Sequence, residues 1–258
     1  AAIIGGCAGT SNVLTGKMFG VPILGTHAHS WVMSFPSEIE AFRHYAKTFP
    51  KACTFLVDTY DTLRSGVPNA IKVFKEMQEA GIELKNYGIR LDSGDLAYLS
   101  KKARKMLDEA GFTDAKITAS SDLDENLIMS LKLQGAKINN WGVGTKLITS
   151  DDCPSFGGVY KLAAESDGNG GVIPKIKLSN NPSKVTNPGI KKVMRFYDKA
   201  TGKIKADLIC LDDEQYNENE RIKLFDHMAK WKKMILKPGE YTIRELLVPV
   251  FKNGECVY

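Results

Sequence analysis

The sequence predicts an α/β fold: a parallel sheet covered by helices, continued by a β-rich portion of different character. Three observations predict it. Short apolar runs rich in β-branched and aromatic residues alternate with helical patterns up to about residue 150. Beyond that point the alternation stops and short strand-like runs follow one another between Gly, Pro, Asn and Asp turns. Each early run also ends in a small polar or glycine-rich cluster.

In chain order, residues 21–24, 53–57, 87–91, 116–119 and 138–143 read as strands. Ala70, Val73, Phe74 and Met77 share one face of a helix expected to start near Pro68 and stop at Gly81, where a left-handed residue closes a helix at least cost. Leu96, Leu99, Ala103, Met106, Leu107 and Ala110 repeat the pattern up to Gly111. Leu127, Ile128 and Leu131 make a third helix, read as started by Asp122 with Glu125 three residues on and closed by Gly135. Strands this apolar need both faces covered, which implies a parallel sheet. The later strands are expected at 157–162, 172–178, 191–197, 203–210 and 245–251, with a hairpin turn over 199–203 and one helix within 219–234. The expected domains are 1–155, carrying the helices and parallel strands, and 156–258.

Composition narrows the function. Of 258 residues, 43% are hydrophobic and 25% charged, and no run of about 18 to 20 uncharged apolar residues exists to span a membrane. The formal net charge of +5 divides evenly: 17 Lys and Arg against 15 Asp and Glu up to residue 150, and 18 against 15 beyond it. The densest basic stretch, Lys230-Trp231-Lys232-Lys233, reads as a solvated helix end. That balance suits small anionic substrates and gives no nucleic-acid groove. Five scattered cysteines without a C-x-x-C pair argue against a disulfide framework and for a reducing cytoplasm.

In a parallel α/β sheet all strand C-termini open onto one edge, where the chemistry collects. The clusters there are 25–30 (Gly-Thr-His-Ala-His-Ser), Asp58-Thr59, 90–95, Ser120-Ser121-Asp122 and 142–145 (Gly-Val-Gly-Thr). Each alone reads equally well as an ordinary polar turn; together they suggest one site. Gly142, Gly144 and Thr145 could cradle a phosphate with backbone N–H groups and a hydroxyl. Arg90 beside Asp92 fits either a structural ion pair or a clamp for a carboxylate. Asp92 and Asp95 flank Ser93-Gly94 as magnesium ligands or sugar-hydroxyl acceptors do, and Asp95 equally suits a helix cap. His27 and His29 form an H-x-H pair without a third metal-ligand motif, so acid–base or covalent work competes with metal binding and with a loop histidine satisfied by backbone.

These clusters, in this order, resemble the nicotinate phosphoribosyltransferase family. The matching segments are 10–14, 20–22, 25–30, 56–60, 88–96, 142–145 and 157–162, and the resemblance runs from Ala1 to Tyr258. It implies a type II phosphoribosyltransferase fold, an irregular parallel α/β barrel with an appended β-rich portion of a second domain. It implies that nicotinate and phosphoribosyl pyrophosphate (PRPP) give nicotinate mononucleotide and pyrophosphate in NAD salvage, with Mg2+ and with ATP hydrolysis coupled through a phosphohistidine. Carried over by residue, His29 is the phosphorylated histidine, and His27 has no catalytic role. Thr26 and Arg90 bind nicotinate, and Gly142, Gly144 and Thr145 contact the phosphoribosyl phosphate. Asp58 and Asp92 lie in motifs near the sugar and the catalytic histidine, and Ser93, Gly94 and Asp95 belong to the same substrate-binding motif. No magnesium ligands are assigned.

Family members are close to twice this length, and they work as homodimers with an N-terminal segment that stacks on the pyridine ring. The opening without methionine and the end at Tyr258 therefore lead to the expectation of a fragment whose second domain lacks its N-terminal portion. The alternatives are a nicotinamide or quinolinate phosphoribosyltransferase, and an inactive part of an assembly.

Overall fold

Four apolar segments lie side by side as a parallel sheet in the order β1 (Ala52–Leu56), β2 (Asn86–Leu91), β3 (Lys116–Ala119) and β4 (Asn140–Trp141). They belong to a computed structural model that describes residues 1–149, 160–177, 185–226 and 229–258. Ahead of the sheet come three helices, α1 (Val13–Phe19), α2 (His29–Met33) and α3 (Glu38–Thr48). Between the strands run α4 (Val67–Glu79), α5 (Leu96–Glu109) and α6 (Glu125–Leu133), and α7 (Thr145–Ile148) follows the last.

The helices form where the apolar spacing predicts. Val73, Phe74 and Met77 of α4 are buried, as are Ala97, Ala103 and Leu107 of α5, each row falling on the face turned to the sheet. Gly81, Gly111 and Gly135 take the positive φ of helix-closing residues. The cap of α6 differs from the expectation. Asp124, not Asp122, accepts from Leu127 N at 2.7 Å, because Leu123 is turned into the core and the helix starts after it. Rings stack through the centre: Phe42 on Phe55 at 4.6 Å, Phe55 on Phe74 at 5.1 Å, and Phe74 edge-on to Tyr87 at 5.0 Å. Gly66, at the end of a π-helical turn (Thr62–Gly66), lets α4 start against β1, since a Cβ there would lie 1.9 Å from the Val57 carbonyl oxygen.

The α/β class and the β-rich remainder are both present, but the described strands make an open sheet and no closed barrel. Residues 21–24 do not form a fifth strand. Pro22 lacks an N–H, and only a parallel bridge between Thr10 and Ile23 links this run to another segment. The strand expected over 138–143 shortens to Asn140–Trp141.

The chain divides into two compact units, Ala1–Glu165 with Lys175–Asn187, and Ser166–Pro174 with Pro188–Tyr258. The expected boundary at residues 155 and 156 lies outside the described residues, as do Cys153 and residues 157–159 of the expected strand over 157–162. Tyr160–Leu162 carry no strand; of the run expected over 172–178, Val172–Pro174 is a strand, residues 175–177 are not, and residue 178 lies outside the described residues. Short strands β5 (Ala164–Ser166) and β6 (Val172–Pro174) form a two-stranded sheet.

In the second unit β7 (Lys191–Asp198), β8 (Ile204–Leu211) and β11 (Tyr241–Glu245) form an antiparallel sheet in the order β11-β7-β8. Its β7–β8 turn is held by Asp198, whose carboxylate accepts from Ala200 N and Thr201 N. The helix expected within 219–234 is instead a pair of antiparallel strands, β9 (Ile222–Phe225) and β10 (Lys233–Leu236), with residues 227 and 228 outside the described set. The reason is period two: Ile222 and Leu224 are buried while Lys223 and Phe225 are exposed. Of the strand expected over 245–251, only Glu245, which ends β11, and Phe251, which opens a final hairpin, lie in strands: after Leu246 N bonds to Val193 O the run meets Pro249. A small hairpin, β12 (Phe251–Lys252) with β13 (Glu255–Cys256), follows. No helix among the described residues is long and apolar enough to cross a membrane.

Candidate functional site

Hydrogen bonding between the parallel strands continues past their ends. Val57 N donates to Arg90 O (3.2 Å), Ser120 N to Leu91 O (2.9 Å) and Gly142 N to Ala119 O (2.7 Å). The residues that follow each strand thus stay in register. Asp58, Asp92, Ser120 and Gly142 consequently line one edge, the C-terminal edge where parallel sheets place their sites.

Arg90 is the hub of that edge. Its Nε donates to Ser120 Oγ (2.7 Å), Nη1 to Thr26 Oγ1 (2.9 Å) and Nη2 to Asp92 Oδ1 (2.9 Å). Ser120 Oγ in turn donates to Asp92 Oδ1 (2.5 Å). Burial by itself would push the Asp92 carboxyl up, but the facing His29 ring, Ser120 and Arg90 outweigh it and hold it well below the usual carboxylate range. Asp92 is therefore an anion at any physiological pH.

Asp58 Oδ2 accepts from Ser93 Oγ (2.5 Å) and from Asp92 N (3.2 Å). Its Oδ1 is buried without a hydrogen-bond partner, and so is His29 Nε2. These two atoms face each other at 3.9 Å, with Asp92 Oδ2 3.6 Å from the same nitrogen. The other ring nitrogen, His29 Nδ1, pairs with Thr59 Oγ1 at 3.1 Å. Two carboxylates and a hydroxyl thus orient one imidazole at ion-pair distance, without locking Nε2 into a hydrogen bond.

His27 points the other way. Its Nε2 accepts from Leu56 N (3.2 Å), so Nδ1 carries the proton and faces Ala28 O (3.3 Å). The ring packs edge-on to Tyr45 at 4.7 Å, and burial lowers its pKa to about 4. It is a neutral anchor that ties the 26–29 segment to the end of β1. The two rings of the H-x-H pair therefore point apart rather than toward one ligand position, and among the described residues no cluster of three or more His, Cys, Asp and Glu is arranged to hold a metal ion.

The remaining motif residues divide. Asp95 caps α5, accepting from Tyr98 N at 2.9 Å, and Gly94 makes the left-handed turn before it with φ of 80°. Gly142 uses its N–H in the sheet, while Gly144 and Thr145 are exposed at the start of α7. Gly142 also lies against Ser120, where an added Cβ would sit 3.4 Å from the serine Cβ.

Three contributors were not singled out by sequence. Ser120 joins Arg90 to Asp92, and Thr59 holds His29, although both stand in the polar clusters that follow β3 and β1. Glu38 is buried, accepts from Ser65 Oγ and Asn69 Nδ2, and has its carboxyl pushed up by burial. Its only sequence signal is a serine just before an acidic first turn.

Fold and site together define an α/β protein whose parallel strands present an arginine, a histidine and two carboxylates at one edge. A model of the nicotinate phosphoribosyltransferase (NAPRTase) family matches residues 2–155, and a model of the nicotinate phosphoribosyltransferase C-terminal domain matches 190–258. Nicotinate phosphoribosyltransferase of Bacillus subtilis (strain 168) is 59% identical over 226 residues, which cover 87% of this chain and 45% of that protein. Nicotinate phosphoribosyltransferase of Dictyostelium discoideum is 37% identical over 96% of this chain and 48% of its own length. Among solved structures, human nicotinic acid phosphoribosyltransferase aligns with a TM-score of 0.51 at 26% identity, covering all (100%) of this chain and 56% of that one. The chain belongs to the nicotinate phosphoribosyltransferase family. It spans about half the length of the curated relatives it matches.

Proposed function

We propose that this chain carries the phosphoribosyl-transfer site of its family, joining nicotinate to PRPP to give nicotinate mononucleotide and pyrophosphate. The observation that carries the reading is the single network Thr26–Arg90–Asp92–His29–Asp58 at the C-terminal edge of the sheet, inside the segment that matches the family model. Arg90 retains two N–H groups beyond its three bonds, which suits a pyridine carboxylate. As pyrophosphate departs with the bonding electron pair, positive charge grows on the sugar, and ionised Asp92 with Asp58 beside it supplies negative charge nearby. The pyridine nitrogen then attacks the anomeric carbon. Gly144 and Thr145, exposed at the start of α7, are the groups on hand for the sugar phosphate.

Magnesium, when bound, supplies charge that neutralises the leaving pyrophosphate. Asp58 Oδ1, buried without a partner, and Asp92 Oδ2 are the oxygens that would hold it, and two carboxylates plus substrate phosphates are a customary set for this ion. ATP hydrolysis couples through phosphate on His29, whose Nε2 makes no hydrogen bond. The family resemblance supports a homodimer for the full-length form, and the free thiols of Cys7, Cys53, Cys210 and Cys256 fit a reducing cytoplasm.

The test is nicotinate mononucleotide formation from nicotinate and PRPP, with and without ATP. His29→Ala is expected to reduce ATP-stimulated synthesis to the ATP-free rate and to remove acid-labile label transferred from γ-labelled ATP. Full ATP stimulation in that variant would remove His29 from the coupling.

A further inference from the structure

A guanidinium offers a carboxylate two ways in: side-on through Nε and one terminal nitrogen, or end-on through both terminal nitrogens. In this protein Ser120 Oγ takes the Nε proton at 2.7 Å, while Thr26 and Asp92 each take one proton from Nη1 and Nη2. One N–H on each terminal nitrogen has no partner among the described residues. The Arg90 side chain is 27% exposed, so a ligand can reach it.

We propose that Ser120 is a positioning residue that closes the side-on edge of Arg90 and leaves the end-on edge to a ligand carboxylate. Its hydroxyl is suited to this because it accepts from Arg90 and donates to Asp92 at the same time, fixing the relative angle of cation and anion.

The backbone around Ser120 is built to hold that hydroxyl still. Ser120 N donates to Leu91 O at 2.9 Å, tying the residue to the strand that carries Arg90. Ser121 adopts φ of 108°, a conformation that a serine rarely takes and that persists only where the surroundings impose it. Leu123 N closes this corner on Ser121 O at 2.9 Å, and Leu123 is fully buried. Ser120 itself is 8% exposed, and a Cβ added at Gly142 would sit 3.4 Å from its own Cβ. The corner therefore aims a serine hydroxyl at Arg90 from a site with little room to move. The identity of the carboxylate as nicotinate rests on the function proposed above; the positioning itself does not.

The test uses the chain with Ser120→Ala and Ser120→Thr, the second keeping a hydroxyl. NMR exchange of the Arg90 Nε–H is expected to be slow in the parent and in Ser120→Thr, and fast in Ser120→Ala. Nicotinate affinity is expected to fall about tenfold in Ser120→Ala and to stay within about twofold in Ser120→Thr, the size expected for one hydrogen bond to a charged group. Affinity for neutral nicotinamide is expected to be unchanged in both. Slow exchange in Ser120→Ala overturns the proposal, as does a parallel loss of acid and amide, which would mark a general collapse of the edge. Exchange that follows the hydroxyl in a parent chain that binds no nicotinate leaves Ser120 as the positioning residue and overturns the nicotinate reading instead.

Discussion

The two units bury apolar surface in different ways. In the first, the parallel sheet is covered by α4 and α5, and a continuous stack of rings from Phe42 through Phe55 and Phe74 to Tyr87 and Phe112 fills the interior. In the second, the core cluster is Phe196, Ile222, Leu224, Leu236 and Tyr241, and large apolar side chains such as Ile209 and Phe225 remain about 60% exposed. A parallel sheet packed under helices gives its strand ends fixed positions, whereas small antiparallel sheets bury less per strand. The polar network sits at the strand ends of the first unit. Rigid support under a site is what holds its donors and acceptors at working distances.

The largest test of the contrast is Phe74→Ala. Phe74 is fully buried among Phe55, Tyr87 and Phe112, and its truncation is expected to cost about 4 kcal/mol. Amide exchange should accelerate in β1, β2 and β3 while β7 and β8 keep their protection. Equal acceleration in both groups would show that the units unfold as one.

His27 gives the next effect. Its folded pKa of about 4 lies below the ordinary 6.5, so the unfolded chain takes up the proton first. Its stabilising contribution is whole above pH 6.5 and is lost as pH falls toward about 4, a change of about 3 kcal/mol. Asp92 does not blur this window, because a carboxyl held below its ordinary 3.8 loses its contribution only at lower pH. The denaturant midpoint of the first unit is expected to fall as pH drops across this range in the parent, and to fall less in His27→Gln, whose amide oxygen can still accept from Leu56 N.

Tyr241→Phe is the smallest change and belongs to the second unit. The phenol oxygen lies 2.8 Å from Asn217 O and 2.7 Å from Glu220 O, with its one proton shared between them, and its ring packs edge-on to Phe196 at 5.6 Å. Removing only the hydroxyl is expected to cost about 1 kcal/mol, seen in exchange of β7 and β11 amides and absent from β1 and β2.

Much of the first unit was legible because its signals are local. The apolar rows on α4 and α5, the closing glycines and the polar residues after each strand can all be read within a window of a dozen residues. Legibility failed where short range is ambiguous. Residues 219–234 mix lysines with apolar residues in a way that suits a helix end, and only pairing of β9 with β10 selects period two. α3 carries a local start signal in Ser37, Glu38 and Glu40, but its buried Ala41, Phe42 and Tyr45 gain meaning only against β1. The same holds for function. His27 and His29 look equivalent two residues apart, yet the first turns into the core against Tyr45 and Leu56 N, and the second turns out toward Asp58 and Asp92.

The sequence by itself determined the α/β class and the edge on which the polar clusters gather, and its family resemblance singled out Thr26, His29, Asp58, Arg90 and Asp92 within them. Periodicity and strand-end position are properties of the chain, and they survive without knowledge of what lies opposite. Only the tertiary structure decided that the described sheet stays open and that Ser120 and Thr59 are the hydroxyls holding Arg90 and His29. Those outcomes depend on groups about 30 residues apart meeting within about 3 Å, a condition set by strand register and packing rather than by any local pattern.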